Sequence, residues 1–203
     1  MSVYKDFSVG NSKILLWKYE EGEHFDAKQL LEPENYERLK AFHPKKLLET
    51  LMVRKILKDI LPEHKILYKD GEPYLQPKDF EISITNSFPL AALAISDEKI
   101  GIDLELFNPK ILRVRDKFIV PEERIFIPEN RETEYLTVIW SIKESLYKIH
   151  HSKYWSLKAH YEVKPFDLDN LSTIECRVHD EYFSDTFSAK VYLFEEFCFS
   201  VVV

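Results

Sequence analysis

Two short stretches of this chain combine residue types that could do chemistry. Residues 100–105 read I-G-I-D-L-E, so Ile100, Ile102 and Leu104 alternate with Gly101, Asp103 and Glu105. In a strand, alternate side chains share a side, and Asp103 and Glu105 project together. Carboxylates that close repel each other unless they share a proton, splay into water or hold a cation. A hard divalent ion such as Mg²⁺ takes oxygen ligands of this kind and keeps several waters. A solvated strand face that happens to be acidic accounts for the six residues equally well. The second stretch, Trp140–Lys148, reads W-S-I-K-E-S-L-Y-K. Trp140, Glu144 and Lys148 stand one helical turn apart, on one side of a helix. Taken alone, Glu144 and Lys148 are an ordinary stabilising pair on an exposed helix. Gly101 is one of only four glycines, and inside a strand it lets another group approach the backbone closely.

The elements around these stretches must position them. Residues 12–19 read as a strand and 33–42 as a polar helix. Pro44 opens a second helix that runs to Ile60, with Leu48, Leu51, Met52 and Ile56 at helical spacing. Residues 65–75 read as two short strands around an Asp70–Gly71 turn. Phe80–Thr85 alternates, and Ala91–Ile95 is apolar enough for a central buried strand. With 100–105, the span 80–105 reads as a three-stranded meander. An amphipathic segment over 113–127 is broken at Pro121. Residues 132–150 give the longest helical pattern, with Ile139, Ile142, Leu146 and Ile149 as its apolar stripe. Residues 160–166, 173–179 and 186–203 read as strands. The two halves share a loose order: a polar helical stretch, a Phe shortly before a Pro (Phe42 and Pro44; Phe118 and Pro121), a long helix, then antiparallel strands. The expected division is 1–107 and 108–203. The expected class is α+β, two similar α/β halves in a pseudo-dimer with the active site in the cleft between them.

Composition narrows the function classes. A net charge of −7 argues against general nucleic-acid binding. No apolar run approaches the ~20 residues of a membrane span. The N-terminus has no basic region followed by an apolar core, so a cytoplasmic protein is expected. The two cysteines, Cys176 and Cys198, lack metal-ligand spacing and read as free thiols. No H-x-x-x-H pair suggests zinc.

The order of I-G-I-D-L-E, about thirty-five residues, then W-S-x-K-E-x-x-x-K resembles the bipartite signature of the 4′-phosphopantetheinyl transferases. Over most of its length the chain is similar to their larger, surfactin-type, pseudo-dimeric branch. The resemblance implies Mg²⁺-dependent transfer of the phosphopantetheine arm of coenzyme A to a serine of an apo acyl or peptidyl carrier protein, releasing 3′,5′-ADP. It implies a monomer, because a pseudo-dimer needs no second chain. It also implies roles for residues. Asp103, Glu105 and Glu144 would hold Mg²⁺, and Lys143 and Lys148 would neutralise phosphate charge, Lys148 at the leaving group. Glu123 would bind or deprotonate the nucleophile. Lys45, Thr85 and Asn86 would meet the coenzyme.

Three positions depart from the family pattern. Asn86 stands in I-T-N-S where the family usually has I-S-H-S. Glu72 replaces the lysine of a G-K-P turn. The glycine-rich turn after the long helix is replaced by I-H-H-S-K-Y-W-S, where His150, His151 and Lys153 are the available cations. All three changes fall on the nucleotide side. They leave open a relative that binds a carrier protein or nucleotide without transfer; with the resemblance set aside, the paired carboxylates also allow an Mg²⁺-dependent phosphohydrolase.

Overall fold

A computed structural model describes residues 3–39 and 43–203. The chain divides into two compact units, Met1–Lys99 and Ile100–Val203. The first unit contains strands β1 (Val3–Asp6) and β2 (Lys13–Lys18), helices α1 (Ala27–Leu30), α2 (Pro33–Leu39) and α3 (Pro44–Ile60), then β3 (Lys65–Lys69), β4 (Glu72–Gln76), β5 (Glu81–Ser87) and β6 (Leu90–Ser96). Its main sheet has the order β1-β2-β6-β5 and is antiparallel throughout; β3 and β4 form a separate hairpin. Asp70 and Gly71 both have positive φ at the hairpin turn, the backbone the Asp-Gly pair favours. Pro44 opens α3, and the His43 ring accepts the Lys45 N–H at 3.2 Å. Met52, Val53, Ile56 and Leu57 of α3 pack on Leu15, Trp17, Leu93 and Ile95 of the sheet. The expected continuation of α2 to Phe42, and Phe42 itself, lie outside the described residues.

The second unit contains β7 (Gly101–Leu106), three short 3₁₀ turns between Pro109 and Arg131, α4 (Pro121–Arg124), α5 (Glu132–Ile149), α6 (Leu157–His160), β8 (Tyr161–Val163), β9 (Ile174–His179), β10 (Ser184–Phe194) and β11 (Phe197–Val202). Its sheet has the order β7-β11-β10-β9-β8, again antiparallel. The stripe Ile139, Ile142, Leu146 and Ile149 of α5 packs on Tyr161, Val163, Ile174 and Val191. Each unit thus lays one long helix on an antiparallel sheet, a mixed α/β architecture. Cys176 and Cys198 are buried, free thiols. Among the described residues, no helix is long and apolar enough to cross a membrane.

Two expectations need correction. The acidic strand does not complete a meander with β5 and β6. It pairs with β11 in the register Asp103–Ser200 and Glu105–Cys198, and α5 packs on it. The division therefore falls at Lys99–Ile100 and not at 107–108. In addition, the expected strand 186–203 is a hairpin, β10 and β11, turning at Glu195, whose φ is +50°.

Candidate active site

Strand β7 and helix α5 run in opposite senses, and three alternate residues of β7 meet the helix. At Gly101 the two backbones nearly touch: a Cβ built there would lie 2.1 Å from the Ser145 carbonyl oxygen. Gly101 is thus required by helix packing: the group that approaches its backbone is the Ser145 carbonyl of α5. Beside it, Ser141 and Ser145 of α5 both hydrogen-bond the Ser200 hydroxyl of β11, at 2.8 and 2.7 Å, and Ser141 donates to the Asp103 carbonyl at 3.3 Å. Three small buried hydroxyl residues let helix and sheet come this close while pairing their own polar atoms.

This packing brings the next two alternate residues to the chemical face of α5. Lys148 Nζ lies 2.8 Å from Asp103 Oδ1 and 2.8 Å from the Ile102 carbonyl, while Trp140 Nε1 donates to Glu105 Oε1 at 2.9 Å. The helix-surface alternative, a simple Glu144–Lys148 pair, is not what forms: the carboxylate that Lys148 takes is on the strand. Burial, reinforced by the neighbouring Asp103 carboxylate, pushes Glu105 up to about 7. Burial and Asp103 also raise Glu144. The three acids therefore form one crowded negative cluster with Lys148 as its resident cation.

Glu144 also lines a cavity of about 630 Å³, within the same unit, walled by Trp140, Tyr147, Trp155, Leu157, Lys117 and Lys153. That volume suits a small organic group.

Among the described residues no group of three or more His, Cys, Asp or Glu side chains is placed so as to hold a metal ion. Mg²⁺ does not require such a group, since it binds through one or two carboxylates plus substrate phosphates and water. The donor set is all oxygen, and its mutual repulsion is what a divalent ion relieves. In donor type, though not in a preformed geometry, the residues suit the ion.

Two expected site residues lie elsewhere. Lys143 is 0% exposed and Glu123 1%. Lys143 Nζ donates to Glu123 Oε2 at 2.8 Å and to the Phe118 carbonyl at 2.6 Å. Glu123 also accepts the Val120 N–H at 3.0 Å and the Val163 N–H at 2.9 Å. Burial lowers the pKa of Lys143, against the pull of Glu123. The pair ties α5 to the turn before α4 and to β8. Lys143 therefore does not meet phosphate as placed, nor is Glu123 open to a nucleophile.

In the first unit, Lys45 lies over the Phe88 ring at 5.1 Å, and Lys46 donates to Asn86 Oδ1 at 3.3 Å. Thr85 is buried in β5. Glu72 is exposed at the β3–β4 turn. After α5, His150 is buried against Asp185, and Lys153 donates to the Lys148 carbonyl at 2.6 Å, closing the end of the helix.

The sequence model of the 4'-phosphopantetheinyl transferase superfamily matches residues 99–202, which takes in the whole carboxylate cluster. The chain belongs to that superfamily. Over 112 residues it is 30% identical to the 4'-phosphopantetheinyl transferase gsp of Aneurinibacillus migulanus, covering 50% of this chain and 46% of that protein. It is 27% identical over 112 residues to the 4'-phosphopantetheinyl transferase psf-1 of Bacillus pumilus, covering 51% and 48%. A Bacillus subtilis 4'-phosphopantetheinyl transferase is 29% identical over 82 residues, covering 38% and 37%. The aligned region spans about half the length of these relatives or less. Within the superfamily match lie Asp103, Glu105, Glu144 and Lys148; Lys45, Thr85 and Asn86 fall outside it.

Sequence reasoning did not single out Ser141, Ser145 and Ser200, or Lys46. The serines left a signal: Ser141 and Ser145 are small residues one turn apart inside the W-S-I-K-E-S motif. Lys46 left none, because its link to Asn86 spans forty residues.

Proposed function

We propose that this protein transfers the 4′-phosphopantetheine group of coenzyme A to a serine of an apo acyl or peptidyl carrier protein. The observation that carries the proposal is the meeting of Asp103 and Glu105 on β7 with Glu144 and Lys148 on α5, beside a cavity. In the reaction the serine oxygen forms a bond to the β-phosphorus of the coenzyme diphosphate. The bond from that phosphorus to the bridging oxygen breaks, 3′,5′-ADP leaves and the hydroxyl proton is released. Such transfer depends on positioning and charge neutralisation more than on covalent chemistry.

Each residue has a task on this reading. Asp103, Glu105 and Glu144 would hold Mg²⁺, which when bound neutralises the diphosphate. Lys148 turns its ammonium toward the leaving phosphate. Trp140 holds Glu105 in place through its indole N–H. Glu144 reaches the cavity, where the part of the substrate beyond the diphosphate lies. Glu123 and Lys143 act at a distance, by fixing the pose of α5. In the first unit Lys45 meets nucleotide phosphate. Asn86 lacks the charge of the expected histidine, but it holds Lys46, which supplies a cation at that place. Mass spectrometry of an apo carrier incubated with coenzyme A, Mg²⁺ and the protein tests the proposal. The carrier gains the pantetheine arm. No gain across several carriers, with the protein folded, rejects it in favour of a relative that binds without transfer.

A further inference from the structure

The first unit holds a cavity of its own, and its reading is independent of the proposed transfer. The C-terminal half of α3 borders a cavity of about 310 Å³, whose other walls are residues 28–33 with Asn35, and residues 62–66. Arg54 lines it. The residue is 7% exposed, and its guanidinium lies 5.7 Å from the centroid of the Tyr68 ring. Among the described residues it makes no hydrogen bond and no ion pair. A guanidinium cannot shed its charge, and burying it unpaired is costly, so its neighbours ordinarily include a carboxylate. Here the cavity takes that place.

The rest of the wall agrees. Among the described residues, four cations, Lys28, Arg54, Lys58 and Lys65, and two carboxylates, Glu32 and Glu63, line the cavity, and Lys65 is already paired with Glu32 at 2.8 Å. Lys58 donates to the Pro62 carbonyl at 2.7 Å. His64 stands in the same wall with its Nε2 on Asp79 at 2.8 Å and its Nδ1 buried without a hydrogen-bond partner. Among the described residues the wall is net positive, and Arg54 is its most buried cation.

We infer that this cavity binds a small oxyanion: inorganic phosphate, or the phosphate end of a small ester. Arg54 anchors it through its planar fork of N–H donors, which matches a phosphate bidentately, and Lys58 and Lys28 add charge at the mouth. The site is separate from the proposed coenzyme residues, since Lys45 precedes Arg54 by nine residues, about 13 Å along the helix. The cavity takes a phosphate with a short ester group but has no room for a whole coenzyme.

The test is a titration of ¹⁵N-labelled protein with inorganic phosphate, and in parallel with glycerol 3-phosphate, chloride holding the ionic strength constant. The Arg54 Nε–H resonance shifts saturably at millimolar phosphate. Tighter binding of the glycerol ester identifies an ester ligand; equal binding identifies free phosphate. Arg54→Gln weakens binding by at least about tenfold. Lys58→Gln, an exposed change that leaves the core intact, weakens it severalfold, and Lys13→Gln leaves it unchanged. An Arg54 resonance that does not move with either ligand overturns the proposal, as does an affinity unaffected by Lys58→Gln.

Discussion

Replacing Gly101 by alanine separates two explanations of the same residue. If Gly101 serves a ligand, the alanine variant folds normally and loses coenzyme binding. The structure gives the opposite expectation. The added Cβ would stand 2.1 Å from the Ser145 carbonyl oxygen, 2.9 Å from its carbon and 3.3 Å from Ile149 Cβ. Non-bonded atoms prefer roughly 3.5 Å or more, so helix and strand must part by more than about 1 Å. Neither side can yield by turning a side chain, because the obstacle is backbone. Overpacking of a core costs about 1–3 kcal/mol and sometimes more; with backbone on both sides, about 3 kcal/mol is expected. At an m-value of about 2 kcal/mol/M, the urea midpoint falls by roughly 1.5 M. The same displacement carries Asp103 away from Lys148, now 2.8 Å apart, so Mg²⁺ affinity falls with stability. Equilibrium urea unfolding with parallel Mg²⁺ calorimetry measures both. An alanine variant within about 0.5 kcal/mol of the parent refutes the close approach.

Other expectations concern charge. Burial and Asp103 raise Glu105 from about 4.5 to about 7, so the folded state holds that proton more tightly than the unfolded one. The stability this provides is complete below about pH 4.5 and is lost as pH rises through about 7, on the order of 3 kcal/mol in the absence of a divalent ion. Mg²⁺ should therefore raise the melting temperature more at pH 8 than at pH 5, and an equal shift at both contradicts the cluster. The indole N–H of Trp140 favours the charged form of Glu105; Trp140→Phe should move the pH midpoint of Mg²⁺ binding upward, and an unmoved midpoint removes that hydrogen bond from the account. Lys143→Met leaves the Glu123 carboxylate buried without its cation and should cost about 3–5 kcal/mol in urea unfolding. Adding Glu123→Gln should then restore part of the loss, whereas additive effects would show that the two groups are not coupled.

The sequence made the local elements readable because their signals are local. Pro44 and the apolar spacing of α3, the Asp70–Gly71 turn and the stripe of α5 each lie within a few residues of what they specify. The strand alternation correctly put Asp103 and Glu105 on one side. It said nothing of which sheet the strand joins, because β7 pairs with β11 nearly one hundred residues away. That pairing moved the division of the chain and gave Gly101 its reason. At the candidate site, the spacing of Glu144 and Lys148 correctly placed them one turn apart, on the side of α5 away from its apolar stripe. Lys143 was misplaced for an identifiable reason. It lies four residues after Ile139 and three before Leu146, on the helix side that packs into the core, and adjacency to Glu144 in the motif outweighed that periodicity. Its partner Glu123, twenty residues earlier, has no local mark of burial.

The most direct measurement is carrier mass gain, followed together with 3′,5′-ADP release, for the parent protein and Asp103→Asn, each with Mg²⁺ and with a chelator. Transfer should occur in the parent with Mg²⁺ only, with one 3′,5′-ADP for each arm gained, and should be lost in Asp103→Asn while that variant stays folded. Transfer that persists in Asp103→Asn, or in the chelator, contradicts the assignment of the β7–α5 cluster as the active site.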